Sequence, residues 1–251
     1  VFTKDLRTVY FTRNNFNKGK IGKDNKGVIR LKIYRADVDA FGKWSNIVEL
    51  PFNSDQYSIG HPALSADEKT LYFASDMPSS YGNSDIYKVS ITGNNNYGTP
   101  ENLGRKVNTE GRETFPFISE NEELYFASDG HLGLGGLDVF GVKLKGGNIV
   151  SQVTNLGTPI NSEMDDFAFC IDSRRTGFFS SNRISGQGQD DIYSFSETTP
   201  IVFECKQELK GIVIDAQSGE VLSNATLQLV DENLGQALET VQSDANGNYS
   251  F

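Results

Sequence analysis

The chain has 251 residues, with 33 acidic against 23 basic side chains, a net charge of -10 and only two histidines. That balance disfavours nucleic acid, whose binding needs a basic surface, and simple adsorption to anionic lipid. No run approaches the length of a membrane span, and a chain of this size can bury a substantial core.

The first extended run is Val9-Tyr10-Phe11-Thr12-Arg13-Asn14, followed by a long polar loop over residues 15–27 and a second run, Leu31-Lys32-Ile33-Tyr34. Lys18, Lys20, Lys23, Lys26, Arg30, Lys32 and Arg35 make this stretch locally basic. A solvated loop is the expected role, with a partner contact as the alternative.

The second unit is clearer. His61-Pro62-Ala63-Leu64-Ser65 leads through a turn to Thr70-Leu71-Tyr72-Phe73-Ala74-Ser75, then through a glycine-containing loop to Asp85-Ile86-Tyr87. Both blocks return at a step of 53 residues. Tyr72 becomes Tyr125 and then Phe178, while Asp85 becomes Asp138 and then Asp191. Gly82, Gly135 and Gly188 hold the same register. Runs rich in Tyr, Phe, Ile and Val, bounded by Gly, Asn, Asp and Ser, read as strands. No sustained helical periodicity occurs. Four short strands per repeat of this length predict an all-β fold, a β-propeller over residues 1–197 with four blades visible. A parallel-strand solenoid is the competing architecture. The Leu-Tyr-Phe run is apolar on consecutive positions, as a strand between two neighbouring blades would be. The first unit opens inside a strand, so further blades are expected upstream.

Residues 198–207 read as a linker. Beyond it Leu209 to Asp215 and Ala225 to Val230 alternate, and Ser243 to Phe251 is a turn entering another strand. Residues 208–251 are therefore expected to form the first part of a small β-sandwich. Cys170 and Cys205 could pair or could both be buried thiols.

Residues 62–67 and 116–120, with the strands that follow them, resemble the TolB-type, WD40-like propeller repeat. The third such unit, Ala168-Phe169-Cys170-Ile171-Asp172, lacks the proline. The tail resembles the carboxypeptidase regulatory-like domain through Gly211-x-Val213-x-Asp215, Ser218-Gly219 and Asp244-Ala245-x-Gly247-x-Tyr249-x-Phe251. In this order they resemble multidomain OmpA-family proteins of the Bacteroidetes cell envelope, among them the PorE-type components of type IX secretion. The resemblance implies a periplasmic location at the outer membrane. It implies an outer-membrane barrel partner of the PorP/SprF type, and contact with peptidoglycan only through an OmpA-like domain that these residues do not include.

Asp85, Asp138 and Asp191 recur too regularly to be independent catalytic groups, and turn-fixing carboxylates are the expected role. Asp76, Asp129 and Asn182 read as turn-opening residues, and Tyr72, Tyr125 and Phe178 as equivalent repeat positions. A calcium site would need several converging oxygens, and the spacing is not that of a calcium-binding loop. His61, at a strand start, and His131, in a glycine-rich loop, read as turn residues. No Gly-x-Ser-x-Gly elbow is present. The paired acids Asp165-Asp166 and Asp190-Asp191 read as solvated loops. No catalytic, metal or cofactor residue is therefore named, and the reading is a non-catalytic envelope scaffold. A glycan- or small-ligand-binding propeller, with Tyr57, Tyr81 and Tyr97 as stacking aromatics, is the alternative. A propeller hydrolase comes after it.

Overall fold

The computed structural model describes every residue except 18, 94–95, 185, 204–208 and 232–235, and of Asn17, Asp231 and Gln236 the backbone alone. Lys18 of the basic stretch and Cys205 lie outside the described residues. Cys170 carries a free thiol.

The described residues are all β, with no helix, and residues 1–204 form four consecutive blades. The first contains Thr8–Asn14, Leu31–Val38 and Trp44–Glu49, and a bridge from Phe2 to Val9 stands in the place of its innermost strand. The second orders Ile59–Leu64, Thr70–Ser75, Asp85–Gly93 and Glu101–Asn102 from inside to outside. The third repeats this with Glu113–Ile118, Glu123–Ser128, Asp138–Lys145 and Thr154–Asn155. The fourth has Asp166–Ile171, Thr176–Ser181 and Asp191–Ser196. All pairings within these sheets are antiparallel. Four-stranded blades were expected, and the second and third have them. In the first and fourth the main sheet has three strands.

The repeat also explains the packing. Because side chains alternate across a strand, each blade turns one set forward, to the next blade, and one set backward. Tyr72 and Ile86 of blade 2 pack forward with Phe126 and Phe140 of blade 3. Tyr125 and Val139 of blade 3 pack forward with Phe169 and Phe179 of blade 4. Tyr10 and Ile33 of blade 1 meet Phe73 and Tyr87 of blade 2 in the same way. The backward-facing rings form stacked pairs in all four blades: Phe11–Tyr34, Phe73–Tyr87, Phe126–Phe140 and Phe179–Tyr193, with centroids 5.9, 5.8, 6.0 and 5.5 Å apart. Such pairs add to the burial of the rings themselves.

An asparagine clips each junction. Asn53, Asn108 and Asn161 each accept from the backbone N–H, and donate to the carbonyl, of Ile33, Ile86 and Val139 respectively. The side-chain amide thus replaces a missing strand partner at three equivalent places.

The expected linker begins as part of the propeller. Ile201 and Phe203 pack on the core between blades 3 and 4, and a Cβ on Gly141 would lie 2.7 Å from the Phe203 ring. The compact unit therefore runs to Glu204, and a second unit spans Cys205–Phe251. In the second unit Lys210–Ile212 pairs with Asn248–Ser250, and Thr226–Asp231 with Gln236–Gln242, both antiparallel. The described part of this unit is therefore two separate two-stranded sheets. Asp215 and Asp244 cap its turns by accepting from the N–H groups two residues on, and Gly219 and Gly247 supply positive φ. Ile212, Ile214, Val221 and Leu238 remain exposed.

Candidate ligand site at the propeller axis

The repeat-defining residues hold the blades. Asp85 accepts from the N–H groups of Tyr81 and Gly82 and from the Asn102 side chain. Asp138 accepts from Leu134 and Gly135, and Asp191 from Gln187 and Gly188. Each carboxylate therefore ties its glycine loop to the strand that follows. Asp76, Asp129 and Asn182 accept from the N–H of Ser58, Arg112 and Asp165 at 2.6, 2.6 and 2.8 Å. Those donors immediately precede the innermost strands, so these side chains join the end of the second strand to the start of the first. Tyr72 and Tyr125 are buried and Phe178 is not.

The paired acids are not a solvated loop throughout. Asp166 is fully buried, ion-paired with Arg183 at 2.6 Å, and accepts from the N–H and hydroxyl of Ser162. Glu113 holds the equivalent place in blade 3, accepting from Thr109 and Ser128. From the sequence Asp166 was expected to be solvated, and neither Glu113 nor the asparagine clips were singled out. The signal was present: Val107-Asn108-Thr109-Glu110 and Ile160-Asn161-Ser162-Glu163 also recur at a step of 53.

A different set faces the axis. Each of the last three innermost strands carries a bulge where two of its residues oppose one. At these bulges His61, Phe115 and Ala168 adopt left-handed backbone, with φ of 54°, 49° and 52°. None is glycine, and bulky residues rarely take this conformation. His61 and Phe115 also precede prolines, which should push them to extended backbone. Packing outweighs that preference. The His61 ring stacks on Phe115, with centroids 4.0 Å apart and planes at 14°, and Phe115 leans on Phe167 at 5.0 Å. A row of three rings thus crosses three blades.

His61 is tied down on both sides. Its backbone N–H donates to the Thr12 hydroxyl at 2.8 Å, and its Nδ1 lies 2.6 Å from the Thr114 hydroxyl. Burial lowers its pKa to about 4, so the imidazole is neutral near pH 7. Beside it opens a cleft of about 160 Å³, lined by Ser58, His61, Ser75, Asp76, Ser84 and Thr114 among others. The cleft sets an uncharged ring among hydroxyl groups, with the Asp76 carboxylate beside them paired to Arg30 at 3.0 Å, a few polar groups of the kind that orient a small ligand.

The aromatics named from the sequence are placed elsewhere. Tyr57 and Tyr97 pack against the core between blades 1 and 2. Tyr81 is exposed and carries the Arg105 guanidinium on its ring. His131 contacts the Val107 carbonyl at 2.7 Å and packs against Phe126 and Phe140. Among the described residues no group of three or more His, Cys, Asp or Glu stands together to hold a metal ion.

No protein-family model and no curated protein matches the chain. Solved structures do. A thermostable family-43 glycoside hydrolase matches with a TM-score of 0.50 at 14% identity, over 82% of this chain and 75% of that one. An α-L-arabinofuranosidase from Lactobacillus brevis matches at 0.45 and 13% identity, over 79% and 74%. A puromycin-hydrolysing peptidase of Mycobacterium tuberculosis matches at 0.48 and 16% identity, over 79% of this chain but 27% of the peptidase. The chain thus spans about a quarter of the length of the peptidase it matches. These identities show the fold alone. They correct the expectations of a non-catalytic scaffold and of no enzyme, because the fold found here is one that hydrolases carry, so its being a propeller argues nothing against catalysis.

Proposed function

We propose that the propeller binds a neutral, hydroxyl-rich small ligand, a glycan, against the axial wall made by His61, Phe115 and Phe167. The observation that carries this reading is the row of three rings across consecutive innermost strands, His61 and Phe115 on left-handed bulge residues and Phe167 next to the third, Ala168. Strained backbone persists only where the surroundings over-determine it, and it clusters at functional places. Rings provide an apolar surface for the C–H face of a sugar, and the hydroxyl groups of Ser58, Ser84 and Thr114 provide hydrogen bonds to its rim. Neutral His61 gives no attraction for an anion. The glycoside hydrolase among the similar structures contributes the fold, and the ring row contributes the ligand class.

Calorimetric titration with a panel of neutral oligosaccharides tests the reading. Binding should weaken at least about tenfold in Phe115→Ala, roughly 1.4 kcal/mol or more, with circular dichroism checking that the variant is folded. Unchanged affinity in that variant, or no binding across the panel, would overturn it. Release of reducing ends that is lost in Thr114→Val and His61→Ala would make the same cleft an active site. From the repeat resemblance we further propose a periplasmic location at the outer membrane, which recovery of the native protein in the cytosolic fraction would remove.

A further inference from the structure

We infer that the junction between blades 2 and 3 holds a binding site for a small organic cation, a guanidinium group on a short aliphatic stem. The site lies apart from the axial cleft, where the innermost strands turn into the second ones, and does not rest on the glycan reading.

Three junctions present the same tyrosine and close over it differently. Tyr10, Tyr72 and Tyr125 hold one position of the second strand and face the next blade. Between blades 1 and 2 the place is filled by Tyr97, whose hydroxyl donates to that of Tyr10 at 3.2 Å. Between blades 3 and 4 a guanidinium fills it. The Tyr125 hydroxyl donates to Glu123 at 3.1 Å, and Arg175 of blade 4 donates to the same carboxylate oxygen at 3.0 Å. Arg175 also donates twice to Glu197.

Between blades 2 and 3 much of this arrangement recurs without the cation. Ser65 donates to Asp67 at 2.7 Å as Ser119 does to Glu123 at 2.8 Å, so blade 2 again offers a carboxylate near its tyrosine. Blade 3 answers with Glu122 where blade 4 has Arg175. The two are equivalent. Both take left-handed backbone, with φ of 56° and 62°, and their carbonyls accept from the N–H groups of Leu144 and Glu197. The charge facing the tyrosine is thus reversed, and Leu144 stands where blade 4 has Glu197. What remains is a cavity of about 250 Å³, lined by Ser65, Asp67, Thr70, Tyr72, Glu122 and Leu144 among others.

Tyr72 is 1% exposed, and among the described residues nothing hydrogen-bonds its hydroxyl. A Cβ on Gly147, another lining residue, would lie 3.6 Å from that hydroxyl, which places it in the cavity wall. Burial, with the Glu122 and Asp67 carboxylates adding to it, pushes the phenol up to about 12. Its neutral oxygen can therefore accept from a cation. Among the described residues no basic side chain pairs with Asp67 or Glu122. Lys88, opposite Tyr72 in register, is held by the Gly147 carbonyl at 3.1 Å and by Glu101 at 3.9 Å. Two carboxylates and a buried hydroxyl over an apolar floor suit a guanidinium, which is weakly hydrated and forms charge-assisted bonds to carboxylates. The cavity is smaller than sites for drug-sized ligands, about 300–1,000 Å³, so the ligand is small.

Calorimetric titration of the 251-residue chain with n-butylguanidinium chloride tests this, with N-butylurea as the neutral isostere. We expect saturable binding of the guanidinium in the millimolar range or tighter, and none of the urea. Glu122→Gln should weaken it at least about tenfold, and Tyr72→Phe, which keeps the ring, several-fold. Glu122→Arg should abolish it by supplying the cation as Arg175 does. Glu120→Gln, in the same turn, should leave affinity unchanged, which separates a site from the general pull of an acidic chain. Circular dichroism checks that each variant is folded. The inference is overturned by an absence of saturable guanidinium binding, by equal binding of the urea, or by affinity unchanged in either Glu122→Gln or Tyr72→Phe. Equal losses in Glu122→Gln and Glu120→Gln, or binding retained in Glu122→Arg, would overturn it as well.

Discussion

Blades 3 and 4 are built on the same repeat, yet Tyr125 and Val139 are buried while Phe178 and Ile192 face solvent. The strands, registers and ring pairs match. What differs is the next blade: Phe169 and Phe179 cover Tyr125, and nothing described covers Phe178. Burial in a repeat array is thus a property of the junction rather than of the residue, as nearest-neighbour stability implies.

The largest expected effect tests this directly. Tyr125→Ala should cost about 3–5 kcal/mol in denaturant unfolding, from lost burial and the cavity left behind. Phe178→Ala, measured where the chain is monomeric, should stay within about 0.5 kcal/mol. Equal losses would mean that Phe178 is covered in solution.

The axis extends the comparison, since blade 2 has His61 where blade 4 has Ala168. Burial holds the His61 pKa at about 4 in the folded chain, below the ordinary 6.5. The unfolded chain therefore takes up the proton first. Stability should be unaffected above about pH 6.5, fall by up to about 3 kcal/mol as pH drops toward about 4, and lose nothing further from this group below that. His61→Ala should remove this component from a series of unfolding curves against pH. A wild-type increment that persists in the variant would place the titration elsewhere.

Smaller changes sharpen the contrast in the loops. Gly82→Ala should cost about 1–3 kcal/mol, because the added methyl meets the backbone of blade 3. Gly188→Ala should be close to neutral. A melting-temperature comparison of the two decides whether the glycine repeat serves the junction or the loop itself. Last, Asp85→Ala should cost about 1–3 kcal/mol by stranding buried donors. Asp191→Ala should cost less, since the N–H groups of Gln187 and Gly188 are open to water. If Asp191→Ala is the more damaging, the carboxylates do more than fix their loops.

Much of the fold was legible in the residues. Apolar runs returning every 53 positions can satisfy their backbones and bury their faces only as an array of sheets, so spacing favoured a propeller over a solenoid, marked four blades and made Tyr72, Tyr125 and Phe178 equivalent. The asparagine clips and the acids at Glu113 and Asp166 were also encoded at that step, but polar residues between strands read as loop until their partners are seen. Three things were decided only by tertiary structure. Ile201 and Phe203 look like linker and become core, because a neighbouring Gly141 leaves room for a ring. His61, expected to be a turn residue, and Phe115 both precede prolines, which favours extended backbone. They take left-handed backbone because stacking across blades stabilises a conformation that local sterics disfavour. Phe178 reads as buried, like its counterparts, and is exposed. Periodicity specifies what a residue can pack against, and only the arrangement of the blades settles whether the partner is there.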